Sequence, residues 1–325
     1  MLVAVYHNNN DVRLEERPVP EIGDGELLVK VMASGICGTD IMQWYRLKKG
    51  PRVLGHEIAG YVVKSNSERF VKGDRIFVSH HVPCNSCKYC LSGNHTACDA
   101  LHAGNYEPGG FSEFIRAPKE NVDWGTYILP DYVTYEEGTM IEPLACVIRG
   151  QRIIDVQKYH TVLVLGSGIS GLMNIQLAKL KGARVIATDI DEYRLRKAKE
   201  LGADEVINAN KKVLLKADKI IVCTGAYSAI GQAFANIDKK GIILLFAVPK
   251  EDIKIPNVEV WRNELTITSS YGAAPVDLEE SLNMIKNKEI QAEILISHKV
   301  SLKDIQQGFK IASESKESLK VIVKP

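Results

Sequence analysis

The chain has 325 residues, 45% hydrophobic and 25% charged, with 41 Lys and Arg against 40 Asp and Glu. That length suits two domains of an ordinary globular protein, and the near-zero net charge argues against nucleic acid or an anionic membrane as partner. The start, MLVAVYHNNND, lacks the pattern of a signal peptide, and the longest apolar run, IILLFAV (242–248), is too short to span a bilayer, so a cytoplasmic protein is expected.

In chain order, MLVAVY reads as a first strand. Short apolar runs follow, LLVKVM, IAGYVV and DRIFVS, broken by Gly and Pro. This texture predicts a β-rich, barrel-like region over 1–145. From about residue 146 the pattern changes. TVLVLG (161–166) is a buried strand, followed by a helix in ISGLMNIQLAKLKG. RVIATD (184–189) is the next strand and EYRLRKAKELG the next helix. EVIN, KIIVCTG and GIILLFAV are further β-branched runs, and LTITSSYG (265–272) closes the series. Strands alternating with helices predict an α/β domain with a parallel sheet over 146–273. The tail, 274–325, holds a helix in VDLEESLNMIKNKE and a closing strand in LKVIVKP.

After TVLVL comes Gly166-Ser167-Gly168-Ile169-Ser170-Gly171, a G-x-G-x-x-G between a strand and a helix. Gly166 permits the tight turn, Gly168 leaves room for a pyrophosphate, and Gly171 lets helix and strand pack closely. Ile169 then opens a helix whose N-terminal N–H groups can meet the phosphates. Asp189 ends the second strand 18 residues after Gly171, near the spacing of an acid that receives ribose hydroxyls. A carboxylate there favours NAD and repels the 2′-phosphate of NADP. Arg194 and Arg196 weigh the other way, unless they belong to a solvated helix face.

Cys84, Cys87, Cys90 and Cys98 form C-x₂-C-x₂-C-x₇-C. Four thiolates at this spacing can close a tetrahedron around zinc. An iron–sulfur motif would continue with x₃-C-P, whereas here Asp99 follows a fourth cysteine seven residues on. His95 is not needed as a ligand. A site closed by four protein ligands leaves no place for substrate, so this lobe is structural. A catalytic zinc would need about three ligands and an open position, and the candidates are Gly35-Ile36-Cys37-Gly38-Thr39-Asp40 and Gly55-His56-Glu57.

GICGTD, GHEIAG, VKGDRIFV, the four-cysteine lobe, EPLAC and GSGISG occur in the order found in medium-chain zinc-dependent alcohol dehydrogenases. The chain resembles that family over essentially its whole length, and most closely the branch with sorbitol, threonine and glucose dehydrogenases. The resemblance implies a GroES-like β-barrel catalytic domain, a Rossmann doubly wound domain, and a C-terminal segment that returns to the barrel.

It also implies two zinc ions per subunit and oxidation of a secondary alcohol, of polyol, cyclitol or sugar type, to a ketone with hydride transfer to NAD. Threonine or a simple secondary alcohol is the alternative substrate. A non-catalytic dinucleotide sensor is the alternative outside enzymes, and it would lack the catalytic ligands. By resemblance Cys37 and His56 are catalytic zinc ligands, and Glu57 is the third, with Glu142 holding zinc-bound water or binding zinc directly in its place. Cys146 is then a packing residue, Asp40 orients His56, and Thr39 takes the alcohol proton and passes it toward the nicotinamide ribose.

Two departures stand out. Met42 stands where relatives often carry a relay histidine. The segment IMQWYRLKKGPR is shorter than in many relatives, and Trp44 and Tyr45 within it read as packing. The exposed edge LTITSS (265–270) and the family resemblance together imply a homodimer or homotetramer.

Overall fold

Alternation along Leu27–Gly35 sets the first sheet. Leu27, Val29, Val31 and Ala33 are buried while Leu28, Lys30 and Met32 are only partly so, the period of two that turns one face of a strand to a core. This strand pairs antiparallel with Glu57–Ser65, which pairs in turn with Arg75–Ser79 and then Thr126–Ile128. On its other side lies Lys320–Lys324, antiparallel to it and itself parallel to Ile296–Ser301. Val29, Val31, Ile58, Val62, Ile76 and Ile115 fill the core beneath. A smaller sheet, Asp11–Glu16, Leu2–Asn8 and Arg52–Val53, packs with Phe111 and Phe309 in a second core.

The computed structural model describes residues 1–211 and 214–325. They divide into two units, Met1–Ala145 with Gly272–Pro325, and Cys146–Tyr271. The tail belongs to the first unit, and the division at Tyr271/Gly272 sits beside the expected change at 273/274.

The second unit is built on a six-stranded parallel sheet. Its order is Glu205–Asn208, Arg184–Asp189, Thr161–Leu165, Ala217–Val222, Ile237–Leu245 and Thr266–Ser269. This is the 3-2-1-4-5-6 order of a doubly wound dinucleotide fold. Val162, Leu163, Val164 and Leu165 are all buried, because a central parallel strand is covered on both faces. Helices Ile169–Leu180, Glu192–Glu200 and Tyr227–Asn236 supply the crossovers. Among the described residues no helix is long and apolar enough to cross a membrane.

Candidate metal and dinucleotide sites

Strand pairing assembles the first site. Gly35, at the end of its strand, lies opposite Glu57 in the ladder, so the turn carrying Cys37 meets the strand start carrying His56 and Glu57. A Cβ at Gly35 would fall 2.1 Å from Glu57 Oε2, so only glycine leaves room for that carboxylate. One ligand atom from each of Cys37, His56 and Glu57 lies within 4.8 Å of the others. Glu142, on the first turn of the helix Ile141–Ile153, is buried but is not among them. Its charge still reaches the buried Tyr106, whose hydroxyl is raised well above its ordinary pKa by burial and by Glu142, Asp40 and Glu57. Cys146, one turn further along that helix, lies outside both groups of potential ligands.

Glu57 is fully buried. Its Oε2 accepts a hydrogen bond from Lys320 Nζ at 2.6 Å, while Oε1 is buried with no hydrogen-bond partner. An orphaned carboxylate oxygen is costly in such a place, and a cation between Cys37 and His56 would satisfy it. Burial works against a charged His56, but Asp40 and Cys37 outweigh it and raise its pKa well above the ordinary value. A Cys, His and carboxylate set with a free fourth position suits catalytic zinc.

Around these donors, Asp40 Oδ2 accepts from the Cys37 N–H at 3.1 Å, and Oδ1 stands 3.5 Å from His56 Nδ1. Thr39 Oγ1 lies 3.3 Å from Cys37 Sγ. Met42 precedes the short helix Gln43–Arg46 and makes no side-chain cap bond. Trp44 and Tyr45 pack edge to face, with Lys48 and Lys49 over their rings.

The lobe cysteines form a separate cluster. Cys98 Sγ is 3.5 Å from Cys84 Sγ, Cys87 Sγ 3.6 Å from Cys90 Sγ, and Cys84 Sγ 4.0 Å from Cys90 Sγ. A disulfide needs about 2 Å. The edge of a tetrahedron with zinc–sulfur bonds of about 2.3 Å is about 3.8 Å, so the spacing fits a shared metal. Hydrogen bonds from Ser86 and from the Cys87 N–H pull the Cys84 thiol down to about 6, whereas burial pushes the Cys90 thiol up to about 12.

In the second unit Gly168 caps the helix Ile169–Leu180, with nothing within 4 Å of where its Cβ would point. A Cβ at Gly171 would lie 1.9 Å from Gly166 O, so helix and turn touch only because that residue is glycine. Asp189 Oδ2 accepts from the Ser167 N–H at 2.7 Å, and Oδ1 accepts from the Asp191 N–H at 3.0 Å. The acid and the glycine turn are thus one rigid piece. Arg194, on the following helix, has a buried Nε with no hydrogen-bond partner. Arg196 is exposed.

Comparison with known proteins agrees with this geometry. Residues 23–124 match the alcohol dehydrogenase GroES-like domain, and residues 170–287 match the zinc-binding dehydrogenase domain. Sorbitol dehydrogenase of Mus musculus is 32% identical, over 99% of this chain and 95% of its own length. The chain belongs to the zinc-dependent medium-chain alcohol dehydrogenases. It is an enzyme, an oxidoreductase of that family, with the GroES-like and Rossmann units the sequence resemblance implied. Two solved family structures superpose over the whole chain. A candidate zinc-binding dehydrogenase from Sinorhizobium meliloti 1021, bound to NADP, is 26% identical with a TM-score of 0.89, covering 100% of this chain and 99% of its own. A short chain alcohol dehydrogenase of Escherichia coli CFT073, complexed with NADH, is 27% identical with a TM-score of 0.89 and the same coverage.

Three features of this dehydrogenase escape the motif reading. Lys320, from the C-terminal strand, is 1% exposed beneath the metal donors. Burial would lower its pKa, but Glu57 and Cys37 raise it, so it stays charged. Arg46 reaches Asp40 and Thr39. His80 and His81 stack at 3.7 Å between ring centroids, with His80 4.9 Å from His56. Burial keeps both neutral, His80 well below its ordinary range and His81 down at about 4. Two adjacent histidines ahead of the lobe were the only sequence signal for this stack.

Proposed function

We propose that this enzyme oxidises a secondary alcohol within a polyol, cyclitol or sugar-type substrate to a ketone, with NAD as hydride acceptor and two zinc ions per chain. The observation that carries the reading is the orphaned, buried Oε1 of Glu57 beside Cys37 and His56. We assign Cys37, His56 and Glu57 as ligands of a catalytic zinc and Cys84, Cys87, Cys90 and Cys98 as ligands of a structural one. Glu142 then faces the centre without binding it directly.

Zinc held there supplies a Lewis acid, and NAD supplies the two-electron acceptor. The remaining work falls to the chain. Thr39 Oγ1, beside Cys37 Sγ, takes the proton of the reacting alcohol. Met42 can accept no proton, so as Thr39, which is exposed, takes the alcohol proton it releases its own hydroxyl hydrogen toward the nicotinamide ribose and then to water. Asp40 orients His56. Asp189 receives the adenosine ribose hydroxyls and discriminates against a 2′-phosphate, with Arg194 alongside.

The polyol assignment draws on relatives named sorbitol dehydrogenase and on the donor set. A glutamate in place of a second thiolate makes a harder centre, better suited to oxygen ligands. A vicinal diol can present two oxygens to it, where ethanol presents one, and the gain appears in kcat/KM. The test is a panel of polyols, vicinal diols and primary alcohols with NAD. Diols should exceed primary alcohols in kcat/KM by at least about tenfold, a difference of about 1.4 kcal/mol in transition-state stabilisation. Efficient ethanol oxidation with no turnover of any polyol would reject the substrate class.

A further inference from the structure

Arg46 lies nine residues after Cys37, in the short helix Gln43–Arg46. Its side chain is 15% exposed. Nε donates to Thr39 O at 2.9 Å, and Nη2 donates to Thr39 Oγ1 at 2.9 Å and to Asp40 Oδ1 at 2.8 Å. The helix is itself held in place, since Asn9 donates from Nδ2 to Ile41 O and from its backbone to Gln43 Oε1. One guanidinium therefore spans the hydroxyl next to Cys37 and the carboxylate next to His56.

Arginine only donates, and it does not lose its proton in a protein. With one lone pair of Thr39 Oγ1 taken by Arg46, the hydroxyl hydrogen must point elsewhere, and its neighbour is Cys37 Sγ at 3.3 Å. The fork of the guanidinium also fixes Thr39 by two bonds, one to backbone and one to side chain. A lysine, a single flexible point charge, could keep the Asp40 pair but not both Thr39 bonds.

We propose that Arg46 is a positioning residue for the dehydrogenation, holding the Thr39 hydroxyl and Asp40 in the arrangement that serves the Cys37–His56 centre. This rests on the reading of that centre given above. A misplacement of about 1 Å at a reacting group costs on the order of a hundredfold in rate, so the effect belongs to turnover more than to binding.

The test compares wild type with Arg46→Lys and Arg46→Met. Arg46→Lys should keep wild-type stability and zinc content, lower kcat by about 30- to 100-fold, and leave KM within about threefold. The primary deuterium isotope effect on kcat should rise as hydride transfer becomes limiting. A crystal structure of Arg46→Lys should show Thr39 Oγ1 displaced from Cys37 Sγ. Arg46→Met should show the same loss of turnover with lower stability. If Arg46→Lys restores wild-type kcat, or leaves Thr39 in place, the positioning role is overturned and Arg46 is only a structural ion-pair partner. If Thr39 moves in the variant while the wild-type enzyme oxidises no alcohol, the placement by Arg46 stands and the dehydrogenase centre is what fails.

Discussion

Lys320 and Glu57 face each other with 1% and 0% of their side chains exposed, so neither charge can turn to water. Removing one partner of such a pair strands the other, at a cost of about 3–5 kcal/mol. Lys320→Met should show that loss in denaturant unfolding, and it should release zinc to a chelator faster than wild type. A loss below about 1 kcal/mol with unchanged release would mean Lys320 does not hold Glu57. The proposed ligands could be singled out as candidates because each sits in a short local motif, GICGTD or GHEIAG. The choice between Glu57 and Glu142 was not readable, since both are acids in motif positions and only strand pairing brings one of them to Cys37. Lys320 lies 263 residues from Glu57, and like Lys324 in the same stretch LKVIVKP it looks like the solvent face of a strand, until the pairing with Leu27–Gly35 turns Lys320 inward and leaves Lys324 exposed. Arg46 was hidden differently, in a segment read for its aromatic residues.

At the scale of elements, the C-terminal strands are tied to the helix Tyr135–Gly138 by one carboxylate. Glu136 Oε1 accepts from Lys299 Nζ at 3.1 Å and from Lys324 Nζ at 3.0 Å. Burial would raise its pKa, but the bonds from Lys324 and Lys299 outweigh that and bring it down to about 2. A carboxylate depressed in the folded state stabilises above its unfolded pKa, near 4.5, and that contribution is lost as pH falls toward 2. Glu136→Gln should therefore lower the thermal midpoint at pH 7 by a few degrees, and the gap to wild type should narrow from about pH 5 downward. A gap that stayed constant to pH 3 would show that the charge is not its source. The βαβ elements were legible because parallel strands are continuous apolar runs and their helices carry a separate period. The helices Ile141–Ile153 and Ile305–Glu314 were not assigned, since EPLACVIRG and IQQGFKIASE carry Pro or Gly that reads as punctuation.

For the whole molecule, the order of motifs along the chain fixed both units in advance, because a metal lobe, a glycine turn and their spacings are local signals. Assembly is not local. Thr266–Ser269 is the outermost strand of its sheet, and Trp261, Val258 and Tyr271 near it are 79%, 64% and 49% exposed. An open edge with apolar neighbours favours pairing with a second copy. Light scattering at micromolar concentration should give a dimer or tetramer, and a monomer would refute pairing through this edge. The proposed basis of cofactor choice, Asp189, lies in the second unit. NAD should exceed NADP in kcat/KM, with the preference relaxed by Asp189→Ala; a native preference for NADP would overturn the role given to Asp189. The proposed division of labour between two zinc centres is tested most directly by metal analysis paired with turnover. Wild type should carry two equivalents of zinc per chain. Cys37→Ala should carry one, stay folded and lose activity by at least about a thousandfold. A Cys37→Ala enzyme that kept two equivalents or wild-type turnover would place the chemistry somewhere other than Cys37, His56 and Glu57.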